Sequence, residues 1–295
     1  MIGLDTSHVT AFTKLLNDPA NPYHVSLGRV VAAYKGGSPD MEQSASRVDR
    51  FTEELARDFG VEIVPSISDL RDRVDIVFLE SVDGRTHLRD YREIVTWKKP
   101  VFIDKPLTVN SAEALEIAEL SEKHGTPTIS ASAIRYAEVF TRALKESEGL
   151  GPIYGCDFYG PMAFVEKAPG YFWYGIHTAD MLFAAFGSGC TRVNAYRTEQ
   201  HDVVVGHWPD GRMVTMRGNR AGNHYFGGTI HREKGSVHFN TSTNEKPYYA
   251  SLLEAIRTYV LEGRHTVPLR QSVEVIRFLE AANESATRGG ETVCL

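Results

Sequence analysis

The chain has 295 residues, 42% of them hydrophobic and 24% charged, with a formal net charge of −6. These values fit a globular protein of about two domains, and an acidic balance with no basic stripe argues against nucleic acid as a partner. Three cysteines, Cys156, Cys190 and Cys294, form no C-x-x-C pair, so a disulfide framework and a cysteine zinc site are not expected and a reducing, cytoplasmic setting is.

The opening, Met1-Ile2-Gly3-Leu4-Asp5-Thr6-Ser7-His8, reads as the end of a buried strand turning at Gly3 into a capped helix with Val9, Phe12, Leu15 and Leu16 on one face. No charged leader with an apolar run opens the sequence, and no apolar stretch reaches the ~18 residues of a membrane span. A strand-glycine-helix turn is how a dinucleotide site begins, usually as G-x-G-x-x-G. Here Gly3 holds the first position, while Asp5 and His8 stand at the second and third. Only Met1 and Ile2 precede Gly3, so a very short first strand is expected.

Strands and helices then alternate. Arg29–Tyr34, Glu62–Val64, Val74–Leu79, Pro100–Ile103 and Thr126–Ser130 read as strands, with helices over 43–59, 86–97 and 111–124 between them. That alternation implies a parallel sheet with right-handed crossovers. Beyond helix 136–147 the pattern changes. Ile153–Tyr159, Thr191–Arg197, Asp202–His207, Arg212–Gly218, Tyr225–His231 and Gly235–Asn240 read as strands of a mainly antiparallel sheet, interrupted by a helix near 175–186. Helices 248–262 and 270–287 follow. The expected domains are 1–130, for dinucleotide binding, and 131–295, for substrate binding and oligomerisation.

Several residues are placed to carry chemistry. Asp104-Lys105-Pro106 ends an apolar strand, and ligands of open α/β sheets bind beyond the carboxyl ends of their strands. Lys105 there can hydrogen-bond a substrate hydroxyl and stabilise a developing alkoxide; the alternative is a surface lysine at a strand end. His177 opens the 175–186 helix with Asp180 one turn on, and a histidine can take a hydroxyl proton as hydride leaves the carbon; the alternative is a packed helix-start histidine bonded to Asp180. Tyr159, Tyr171, Trp173 and Tyr174 belong to an aromatic run suited to the C–H faces of a sugar ring, about half of which is expected to be core or subunit-interface packing. The strand-region histidines His201, His207, His224, His231 and His238 match no compact ligand motif, so no metal site is expected.

Taken in order, these stretches resemble the Gfo/Idh/MocA oxidoreductases over nearly the whole chain. Asp104-Lys105-Pro106 is similar to the family's E-K-P. The eight residues from Trp173 to Asp180, including Tyr174-Gly175-Ile176-His177, stand at D-x-G-x-H-x-x-D. Ser81-Val82-Asp83-Gly84-Arg85-Thr86-His87 stands at T-P-x-x-x-H, Ala133-Ile134-Arg135-Tyr136 at N-R-[FY], and the C-terminal VPLRQSVEVIRFLEAANESA is also family-like. The resemblance implies an α/β chain, with an N-terminal Rossmann-type doubly wound parallel sheet and a C-terminal α+β domain bearing a large open sheet. It implies transfer of hydride between NAD or NADP and a sugar, polyol or similar alcohol or ketone. Lys105 would orient the substrate, His177 would be the acid–base and Asp180 would position it. Ser81, Asp83, His87, Asp104 and Arg135 would lie along the cofactor, with Gly3, Asp5, Thr6, Ser7 and His8 at its turn.

Three departures matter. Trp173 replaces the family's aspartate and cannot orient an imidazole through a carboxylate; Asp157, Tyr159, Glu166, Tyr171 and Tyr174 are nearby in sequence. Asp5 brings a negative charge toward the pyrophosphate position, costing about 1 kcal/mol at 4 Å in water, unless it turns back as a cap; Thr6, Ser7 and the helix N-terminus still offer donors. After the second strand, Lys35 and Ser38 stand where NAD-specific turns carry an acid; either they receive a 2′-phosphate, which leans toward NADP, or the stretch is an ordinary solvated loop. The rivals are a ligand- or partner-binding protein on the same scaffold, or a lyase or glycosidase with a tightly held cofactor. The apolar face of the second sheet suggests a homodimer or homotetramer.

Overall fold

The computed structural model describes residues 1–264 and 266–295. In chain order its first elements are α1 (His8–Asn17), β1 (Ala32–Tyr34), α2 (Glu42–Ala45), α3 (Val48–Phe59), β2 (Glu62–Val64), β3 (Val77–Leu79), α4 (His87–Ile94), β4 (Val101–Ile103), α5 (Ser111–His124) and β5 (Thr128–Ser130). Then come α6 (Glu138–Glu146), β6 (Ile153–Pro161), α7 (Gly175–Phe186), β7 (Arg192–Arg197), β8 (His201–His207), β9 (Met213–Asn219), β10 (Gly227–Arg232), β11 (Gly235–Asn240), α8 (Tyr248–Glu262), α9 (Leu269–Thr287) and β12 (Val293–Cys294). These form two compact units, one of residues 1–108, 112–131 and 249–269, the other of 109–111, 132–248 and 270–295. Residues 249–262 of α8 are thus counted with the first unit.

In the first unit, β1 and β2 pair in parallel, as do β3, β4 and β5. Ile2 joins the two groups through parallel bridges to Tyr34 and Leu79. The order is β2-β1-Ile2-β3-β4-β5, with the central strand reduced to one bridged residue, and Ile2 N–H donates to Phe78 O at 2.8 Å. Every residue of β3, β4 and β5 is buried, because a parallel sheet is covered on both faces. Phe12 of α1 packs on Phe78 and Phe102, ring centroids 6.2 and 6.3 Å away. Several expected elements are shorter, among them the strand over 74–79, which starts at Val77, and two differ for a visible reason. The strand over 29–34 starts only at Ala32, because the Asn17 side chain bonds both the N–H and the carbonyl of Val30. The helix over 43–59 is two helices, broken where Arg47 adopts φ −124°.

The second unit is built on a seven-stranded sheet ordered β11-β10-β6-β9-β8-β7-β12. Only β6 and β9 pair in parallel; the other ladders are antiparallel. Burial alternates strictly along β8, so one face is core. There Phe183 of α7 meets Phe278 of α9 and Trp208 at 5.7 and 5.8 Å. Tyr154, Tyr196 and Met213 remain exposed. No helix among the described residues is long and apolar enough to cross a membrane.

Candidate active site

The chain turns at Gly3 with φ +83°, and a Cβ there would lie 2.2 Å from Ser81 Oγ and 2.6 Å from Ser81 Cα. Only glycine permits that approach of turn and strand end. Thr6 and Ser7 follow at the N-terminus of the ten-residue α1, whose first N–H groups have no intrahelical acceptor. Asp5 is buried, and its carboxylate turns inward: Val82 N–H donates to Oδ1 at 2.8 Å and Ser44 Oγ to Oδ2 at 2.6 Å. Burial raises its carboxyl above the usual range, against those two bonds. The side chain that replaces the second glycine therefore braces the turn against α2 and the loop after β3.

The replacement at the third glycine also points inward. His8 Nδ1 lies 2.6 Å from Asp104 Oδ2 and 3.9 Å from Glu80 Oε2. Glu80, at the end of β3, is fully buried and neither carboxylate oxygen has a hydrogen-bond partner. Burial, reinforced by the charge of Asp104, pushes Glu80 well above the usual carboxylate range. Burial also raises Asp104, but His8 and Lys105 outweigh it and hold Asp104 below that range. The Lys105 N–H donates to Asp104 Oδ1 at 2.8 Å, which fixes the half-buried Lys105 just beyond β4.

The other expected cofactor residues have evident partners. His87 is fully buried, its ring nitrogens 3.0 and 2.7 Å from the carbonyls of Leu107 and Ser81, so it braces the strand-end loops. Asp83 is buried and pairs with Arg85, which reaches Asp40; the Arg85 and Ser38 bonds hold its carboxyl below the usual range despite burial. Ser81 lies buried under Gly3. Lys35 lies 2.5 Å from Asp49 in an exposed pair, and Ser38 is buried. A cavity of about 310 Å³ in this unit is lined by Val30, Val31, Val74 and Ile76, which precede β1 and β3; it is at the opposite ends of the strands from His8, Glu80 and Asp104.

In the second unit, His177 Nδ1 meets Ser132 Oγ at 2.6 Å. The Ser132 N–H donates to Asp180 Oδ2 at 2.8 Å, and Arg135 donates to Asp180 Oδ1 at 2.8 Å. Arg135 also reaches Gln271. Burial raises the Asp180 carboxyl, and Arg135 opposes that shift. Asp180 thus holds Ser132, and Ser132 holds the imidazole. A hydroxyl can donate or accept, so it suits both protonation states of the ring. Tyr174 and Phe226 flank His177 with centroids 5.5 Å away. Ser132 was not anticipated from sequence, because it lies 45 residues before His177. Of the expected aromatic wall, Tyr159, Trp173 and Tyr174 are half-buried. Tyr171 is fully buried with its hydroxyl on Asp202, so it packs the core and offers no face to a sugar. Burial and the Asp202 charge push that phenol up to about 12.

A family model described as an oxidoreductase family with an NAD-binding Rossmann fold matches residues 17–131. No curated protein matches the chain in sequence. Among solved structures, GenD2 from gentamicin A biosynthesis, in complex with NAD, is 18% identical with a TM-score of 0.78, over 100% of this chain and 95% of that one. The scyllo-inositol dehydrogenase of Lactobacillus casei, with bound NAD(H) and scyllo-inositol, is 14% identical with a TM-score of 0.80, over 99% and 97%. The myo-inositol dehydrogenase of Lactobacillus casei, with NAD(H) and myo-inositol, is 14% identical with a TM-score of 0.76, over 100% and 95%. The family match lies in the parallel-sheet unit, where residues 17–131 match the NAD-binding Rossmann fold of the Gfo/Idh/MocA oxidoreductase family, and the solved structures share their fold with the whole chain.

Proposed function

We propose that the chain is an NAD-dependent oxidoreductase acting on a CH–OH group of a polyol or cyclic sugar alcohol. The observation that carries this reading is the chain of support behind His177, from Arg135 through Asp180 and Ser132, on a fold whose family is NAD-binding. The turn suits a dinucleotide: Gly3 allows its close bend, Asp5 is turned away into bonds of its own, and Thr6 and Ser7 open a helix N-terminus, a good seat for an anion. The nicotinamide, when bound, supplies the hydride acceptor. Lys105 binds the reacting hydroxyl and favours its alkoxide character. His177 takes the hydroxyl proton on oxidation and returns it on reduction. Trp173 and Tyr174 offer apolar faces to a ring. Each role is assigned from the motif the residue occupies within its own unit.

The match to an NAD-binding family and the neighbours solved with NAD favour NAD over NADP. The exposed Tyr154, Tyr196 and Met213 on the second sheet suit a second copy of the chain; a monomer by light scattering would contradict that. The functional test is an absorbance screen of inositols, polyols and sugars with NAD. Turnover of one of them, lost in both Lys105→Ala and His177→Ala, is expected. Turnover that survives both changes overturns the assigned roles. Failure of every nicotinamide nucleotide to bind favours a ligand- or partner-binding protein on this scaffold.

A further inference from the structure

We propose that His8, Glu80 and Asp104 form a site for one divalent transition-metal ion beneath the glycine turn. Each offers a ligand atom, and these atoms lie within 4.8 Å of one another. The three come from the start of α1 and the ends of β3 and β4, so no spacing motif in the sequence announces them. Their side chains are 10%, 0% and 3% exposed.

Glu80 supplies the independent observation. It is completely buried, next to a second carboxylate, with no hydrogen bond to either oxygen. A carboxyl group so placed is costly unless something compensates it. Neither Asp5 nor Asp83 resembles it, since each is buried with donors on its oxygens. A dication among the three side chains would satisfy Glu80 and offset the charge of two carboxylates at once.

The geometry is close to what an ion requires. Donors about 2.0–2.2 Å from one ion stand roughly 3–4.3 Å apart. The 3.9 Å between His8 and Glu80 falls in that range, and the 2.6 Å between His8 and Asp104 would open by about half an ångström on binding. The imidazole is already oriented: Phe12 stacks on it at 5.6 Å and Tyr249 packs at 4.7 Å. One imidazole with two carboxylates suits Mn²⁺, Fe²⁺ or Zn²⁺, whereas Mg²⁺ and Ca²⁺ prefer oxygen alone.

The experiment uses the full chain, stripped with EDTA and dialysed, and titrated separately with Mn²⁺ and Zn²⁺ without nucleotide. One equivalent per chain is expected to bind, with affinity reduced at least a hundredfold in Glu80→Gln and unchanged in His231→Ala. The wild-type protein gives a second readout should Glu80→Gln not fold: pulsed electron paramagnetic resonance of bound Mn²⁺ is expected to show coupling to one imidazole nitrogen, absent in His8→Ala. Absence of stoichiometric binding by folded wild-type protein overturns the site, as does binding that Glu80→Gln leaves intact or Mn²⁺ without nitrogen coupling. No nicotinamide and no turnover enter these readouts, so the result is independent of the proposed oxidoreductase function.

Discussion

His8 Nδ1 stands 2.6 Å from Asp104 Oδ2, beneath a turn that in a common dinucleotide site would carry glycine at that position. The pair links the first residue of α1 to the end of β4 and is almost wholly buried. Removing one partner from such a pair leaves an uncompensated buried charge, at a cost of about 3 kcal/mol. His8→Ala in EDTA-containing buffer is expected to lower the unfolding free energy from urea titration by that amount, with a lower midpoint. An unchanged midpoint would show that the pair contributes no stability.

Gly3 is the point at which the first unit tolerates no side chain. Gly3→Ala would strain a φ of +83° and drive a Cβ into the Ser81 backbone. The expected loss is about 2 kcal/mol or more, read as a lower urea midpoint or as insoluble protein. A soluble Gly3→Ala of wild-type stability would contradict the described turn.

Ser132 is a positioning residue for His177. Once a substrate is in hand, His177→Ala is expected to lower kcat by about 10²–10⁴. Ser132→Ala is expected to lower kcat about tenfold, with KM little changed and the acidic limb of the pH–rate profile displaced. Ser132→Thr, which keeps a hydroxyl, is expected to restore most of that rate. A Ser132→Ala enzyme with an unmoved pH profile would show that the hydroxyl only packs.

Tyr171 ties stability to alkaline pH. Burial and Asp202 raise its pKa from 10.0 to about 12 in the folded chain. Between those values the native state keeps a proton that the unfolded state has lost, so stability falls as pH rises through the window. Tyr171→Phe, which removes this ionisation, is expected to lose less stability than the wild type between pH 10 and 12. At neutral pH it is expected to lose about 1 kcal/mol with the hydroxyl's bond. Parallel pH curves for the two proteins would contradict the shift.

Local patterns made much of the fold legible. The α5 and α7 segments are closed by Gly125 and Gly187, and the helix over 111–124 and the helix near 175–186 lie where the sequence places them. Short strands were less legible: Val293–Cys294 pairs with β7 through two residues, too few to show alternation. The chemistry divided in the same way. Lys105 and His177 sit in contiguous motifs. Glu80 and Ser132 reach their partners through contacts spanning dozens of residues, and nothing local marks them. From sequence Asp5 reads as either a charge near a phosphate or a helix cap, and the bonds that turn it inward come from residues 39 and 77 positions away, which no local pattern marks.

On the proposed function, this altered turn still serves an NAD-dependent oxidoreductase. Calorimetric titration of the full chain with NAD, NADH, NADP and NADPH, after removal of any bound nucleotide, tests it most directly. Micromolar binding of NAD or NADH, in preference to the phosphorylated pair, is expected. Absence of binding by any of the four, with the fold intact by circular dichroism, would contradict it.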